Sequence, residues 1–106
     1  MSKKKVKLKT VMDETTKLPD KQGNGILRIL IKADKQNKVK RYSLAYVNHK
    51  ISRIDNGRVL GYDNSHGYHH RHCMGKEEAI EFKNFESVAE RFESEWKKYH
   101  EKAKNK

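Results

Sequence analysis

The stretch HGYHHRHC, residues 66–73, holds four of the chain's six histidines and an arginine. Imidazole titrates near pH 6.5, so a histidine pair can serve as base and acid at neutral pH. A guanidinium binds phosphate oxygens through paired hydrogen bonds and stabilises charge developing there. RNA carries its own nucleophile, the ribose 2′-hydroxyl. A catalyst must remove that proton, protonate the leaving 5′-oxygen and neutralise the phosphate. His70, Arg71 and His72 supply those group types within three residues. Asp63, just upstream, is the carboxylate to orient one imidazole and raise its basicity.

Strand geometry complicates this grouping. Successive side chains point to opposite faces, so Tyr68, His70 and His72 share one face and His69, Arg71 and Cys73 the other. Only a bulge or a strand end would bring Arg71 round to the histidines. Two imidazoles on one face with Asp63 or His66 also suggest a metal, such as zinc. No Cys-x-x-Cys or Glu-bearing zinc pattern accompanies them, so neither metal nor other cofactor is expected. The plain alternative is a polar strand whose histidines are hydrogen-bonded by neighbours and do no chemistry.

The elements that must position these residues follow from hydrophobic periodicity. Residues 5–12 alternate Val6, Leu8, Thr10 and Met12 with Lys5, Lys7 and Lys9, a strand with a cationic face. Residues 13–25 collect Pro, Gly, Asp and Thr and predict a loop. ILRILIKA (26–33) and VKRYSLAYV (39–47) predict two long strands. Asn56-Gly57, between KISRID and RVLGYDN, predicts a two-residue hairpin. YHHRHCM is the next strand, Gly75 and Lys76 a turn, and EAIEF a further short strand. From Phe85 the period changes: Phe85, Val88, Ala89, Phe92, Trp96, Tyr99 and Ala103 keep helical spacing, with Asn84 as N-cap. The expected architecture is α+β: one domain, 1–106, with an antiparallel sheet of about five to seven strands. An amphipathic helix over 85–103 covers it.

Charge narrows the partners. Residues 1–50 carry fourteen Lys/Arg against four Asp/Glu, while residues 51–106 carry eleven against ten. A positive half favours a polyanion such as RNA, or an acidic protein. Lys5, Lys7 and Lys9 are the candidate phosphate contacts there. Tyr62, Asn64, His66 and Tyr68 are candidates for substrate binding near the cluster, with a tyrosine stacking on a base. No apolar run approaches the ~20 residues of a membrane span, and the basic start lacks a following apolar region. Cys73 is the only cysteine, which suits a reducing cytoplasm. A homo-oligomer is compatible with the sequence.

GYDN (61–64), followed by HGYHHRH (66–72), Gly75 and a terminal amphipathic helix, resembles the TumE-like toxins of prokaryotic toxin–antitoxin loci. Tyr62, Asp63, Asn64, His70, Arg71 and His72 carry the resemblance, which spans the chain from the second strand onward. His69 and Cys73 depart from the family's pattern, and the lysine-rich first strand lies outside it. The resemblance implies a growth-inhibiting protein neutralised by a cognate antitoxin. Together with the residue chemistry it gives the expected function: a toxin acting on RNA as a metal-independent endoribonuclease. His70 and His72 are acid and base in that reading, Arg71 holds phosphate and Asp63 orients. The rival is a non-catalytic module that binds nucleic acid or regulates a partner.

Overall fold

Alternating apolar residues give way to helical spacing at Phe85, and the structure changes with them. The computed structural model describes residues 7–19, 21 and 23–104, with His66 and Lys104 described by backbone alone. Lys5 lies outside the described residues. Six antiparallel strands lie side by side in chain order: β1 (Lys9–Lys17), β2 (Ile26–Ala33), β3 (Val39–Val47), β4 (Arg58–Asp63), β5 (His70–Cys73) and β6 (Lys76–Ala79). One helix, α1 (Phe85–Lys104), packs on β3 and β4. This is the α+β arrangement the periodicity predicts.

The helix covers only one face of the sheet. Tyr42, Leu44 and Tyr46 alternate along β3 and meet Leu60 and Tyr62 of β4 and Val88 and Phe92 of α1 in a buried cluster. Burying a side chain such as Phe92 contributes about 1.5–3 kcal/mol. Asn84 caps the helix, its Oδ1 accepting from the Ser87 amide at 2.8 Å. Glu86 in the first turn complements the helix dipole.

Several boundaries differ from the sequence reading. β1 runs through residues 13–17, expected as loop, because Lys17 pairs with Ile26 and every residue from Met12 on has a partner in β2. The β-branched Thr15 and Thr16 suit that ladder, and only 18–25 forms the connection. KISRID is not a strand. Residues 48–57 instead form one long connection anchored by Asn48, whose Nδ2 donates to the Gly23 carbonyl at 3.0 Å and the Tyr46 hydroxyl at 2.8 Å. Asn56-Gly57 ends that connection, with φ of 55° and 83°, rather than forming a two-residue hairpin. The two-residue turn falls at Met74-Gly75, both at positive φ (46° and 86°), which suits the twist of β5 and β6.

Candidate functional site

Register decides which candidate residues meet. Asp63 pairs with His70, Tyr62 with Arg71 and Gly61 with His72 across β4 and β5. On the far side of β5, His72 pairs with Glu77 and Arg71 with Glu78. Directly opposed residues share a face. Asp63, His70, His72 and Glu77 therefore gather on the face away from the helix, and Tyr62 and Arg71 on the face beneath it.

On the helix-free face two imidazoles converge on one carboxylate. His70 Nε2 lies 2.7 Å from Asp63 Oδ1, and His72 Nε2 lies 3.3 Å from Oδ2. Glu77 Oε1 closes the group at 3.9 Å from His70 Nε2 and 3.6 Å from His72 Nε2. The two rings meet edge to face, 4.6 Å between centroids. Ser65 fixes the carboxylate from behind, its amide and hydroxyl donating to Oδ1 at 3.1 and 2.7 Å. Ser65 is thus a local support for the aspartate. Tyr68 borders the group: its ring packs on His70, and its hydroxyl donates to Glu77 Oε2 at 2.7 Å.

Depth within the group is graded. The His70 side chain is 2% exposed, His72 14% and Glu77 48%, so the centre opens to solvent at Glu77. Burial, then the positive charge of Arg58, push the His72 imidazole below its ordinary pKa, against the pull of Asp63 and Glu77. Two imidazoles are thus held on a single carboxylate, one of them sealed from solvent. The flanking arrangement expected for His70 and His72 is replaced by a convergent one.

Arg58 supplies the cation on this face. The pairing of β3 with β4 slips between Tyr46 and Val47: Leu60 faces Tyr46 and Arg58 faces Val47. Val59 and Leu60 are both buried in consequence, and Arg58 turns outward. Its side chain lies across Gly61, where an added Cβ would sit 3.0 Å from Arg58 Cδ. Gly61 is bare for that reason. Arg58 Nε also donates to Asp55 Oδ2 at 2.7 Å. A groove of about 710 Å³ runs from Arg58 past Ala45, Ser43, Leu30 and Arg28 towards β1.

Arg71 has a different task. No bulge interrupts β5, so its guanidinium stays under the helix, Nη2 donating to Glu95 Oε2 at 2.9 Å and Nε to the Tyr62 hydroxyl at 3.1 Å. Tyr62 is fully buried and donates to Glu95, which removes it from substrate contact. Burial alone would raise the Glu95 pKa, but hydrogen bonds from Arg71 and Tyr62 hold the carboxyl below its ordinary value. Asn64 is bound to β3, accepting from the Tyr42 amide at 3.0 Å and donating to the Lys40 carbonyl at 2.8 Å. His69 stacks on Phe82, and Cys73 lies 3.3 Å from the Tyr99 hydroxyl, so both serve packing. Lys7 and Lys9 are exposed at the β1 edge, four strands from β5 and so about 19 Å away at ~4.8 Å per strand.

Sequence reasoning missed Arg58, Glu77 and Glu95. A signal existed for Glu77: moving the β5–β6 turn one residue earlier, to the Met74-Gly75 pair, sets it opposite His72. Gly61 between Leu60 and Tyr62 marked a bare spot on β4, but nothing in the sequence said which side chain covers it.

The pattern of the family described as Toxin TumE matches residues 10–101. The match begins inside β1, so most of the first strand belongs to the pattern that the sequence reading started at the second. No curated protein and no solved structure matches the chain.

Proposed function

Because the chain belongs to the TumE toxin family, which implies a cognate antitoxin, we propose that it arrests growth by cleaving RNA in the cytoplasm. The observation that carries this reading is the meeting of Asp63, His70 and His72 near Arg58, which itself lines a groove on the helix-free face. Cleavage by 2′-hydroxyl attack needs a proton acceptor and positive charge at one phosphate. The centre offers imidazole and carboxylate groups at its mouth, and Arg58 stands next to them. Arg28 and Arg58 line the groove beside the carboxylates of Asp13, Glu14 and Asp55, and Lys32 and Arg41 share that face by register, so the phosphates of a single strand would follow these four cations. Tyr68, 41% exposed beside the centre, is the aromatic surface for a base.

Among the described residues no helix is long and apolar enough to cross a membrane. Expression without the antitoxin should arrest a bacterial host, and His72→Ala or Asp63→Asn should relieve the arrest at equal protein level. Undiminished arrest by a folded His70→Ala, His72→Ala double variant would remove the centre from the mechanism.

A further inference from the structure

The geometry points to a divalent transition-metal site at Asp63, His70 and His72, best suited to zinc, with Glu77 at its open side. It assigns a ligand to the centre that the RNA-cleaving reading uses, and rests on that reading only for what the ion does there.

The ligand atoms are already gathered. One donor atom from each of the three residues lies within 4.8 Å of the others. Tetrahedral zinc with bonds of about 2.0–2.1 Å holds its ligand atoms roughly 3.3 Å apart. His72 Nε2 and Asp63 Oδ2 stand at 3.3 Å. His70 Nε2, at 2.7 Å from Oδ1, needs only a small outward turn.

The ligands are also held from outside. His70 Nδ1 lies 3.2 Å from the Tyr68 carbonyl oxygen. A carbonyl only accepts, so Nδ1 is the donor there and Nε2 is the nitrogen turned to the Asp63 carboxylate. A ring nitrogen donating to a backbone carbonyl while the other faces the centre is the usual outer support of a metal-bound histidine. The carboxylate is supported likewise, by the Ser65 amide and hydroxyl on Oδ1, which leaves Oδ2 turned to His72.

The donor set selects the ion. Two imidazoles and one carboxylate suit zinc and its neighbours rather than magnesium or calcium, which take oxygen ligands. Three protein ligands with an open fourth position are the arrangement of catalytic zinc. The open position lies toward Glu77, whose Oε1 stands 3.6 Å from His72 Nε2. A helical His-x-x-x-His motif is absent because the pair sits on a strand, where positions i and i+2 share a face. In RNA cleavage the ion would meet a phosphate oxygen, Glu77 would take the 2′-hydroxyl proton as the O2′–P bond forms, and a water at the open side would protonate the 5′-oxygen as the P–O5′ bond breaks. That replaces the metal-independent chemistry expected from the histidines alone.

The test uses untagged full-length protein stripped with EDTA and dialysed. Titration with Co²⁺, read by visible absorption, and with Zn²⁺ against a chromophoric chelator should give one equivalent per chain. His72→Ala and Asp63→Asn should bind at least about tenfold more weakly, and His49→Ala should bind as the wild type does. Loss of fold would mimic loss of a ligand, so the wild type carries a second reading. On Zn²⁺ addition the imidazole ¹⁵N resonances of His70 and His72 should shift, while those of His49 and His100 hold still. Substoichiometric binding, or equal shifts at His49 and His100, overturns the site. Stoichiometric binding with RNA left intact overturns the ribonuclease reading alone. RNA cleaved at full rate by verified metal-free protein overturns the metal alone.

Discussion

Arg71 and Arg58 lie on opposite faces of the sheet: Arg71 reaches Glu95 beneath the helix at 2.9 Å, while Arg58 lies over Gly61 beside the histidine centre. The arginine inside the His-Arg-His run therefore holds the fold, and an arginine twelve residues upstream of His70 serves the site. Arg71→Ala leaves the Glu95 carboxylate without its charged partner and should cost about 1–3 kcal/mol in stability, read as a lower urea midpoint. It should leave the salt dependence of RNA binding unchanged. Arg58→Ala should do the reverse, keeping the midpoint within about 0.5 kcal/mol and lowering the salt slope by about 0.7–1, one phosphate contact. A lower slope in Arg71→Ala would return that guanidinium to the RNA.

The strand alternation legible in HGYHHRHC separated Arg71 from His70 and His72 correctly, because period two survives wherever no bulge intervenes. The bulge that matters lies elsewhere, between β3 and β4, and brings Arg58 to the site. Its cause is nonlocal: Val59 and Leu60 both enter the core, and no single strand reveals what its neighbour's register demands. The partners of Asn64 and Tyr62 were not legible for a related reason. Their polar atoms suit a substrate as well as a backbone amide or a buried carboxylate, and only the tertiary partners, Tyr42 and Glu95, decide. The helix was plain from Phe85 onward because its stripe and its Asn84 cap are local. β1 was longer than its loop-like composition suggested, since β2 offers it a full ladder.

Stability should fall in acid through Glu95. Its folded pKa lies below the ordinary carboxyl value, since Arg71 and Tyr62 outweigh the burial that opposes them. A depressed pKa contributes stability that is present above the unfolded-state value, near 4.3, and is lost as pH falls through the folded one. Unfolding midpoints should therefore drop below about pH 4.5 in the wild type. Glu95→Gln should start lower at pH 7 and lose less on acidification. Parallel curves for the two proteins would show that Glu95 contributes nothing to the acid limb.

The central claim is that the Asp63–His70–His72 centre cuts RNA through the ribose 2′-hydroxyl, and the ends of the products test it most directly. Purified protein, assayed with Zn²⁺ present, should leave 2′,3′-cyclic phosphate termini on RNA. The same oligonucleotide should stay intact when 2′-O-methylated or made as DNA, while still binding the cationic face. Folded Asp63→Asn protein should bind and not cut, a loss of at least about a hundredfold in rate for a group that serves the reacting centre. RNA that stays whole with and without the metal, yet binds and releases with salt, would contradict the account and leave a binding module in its place.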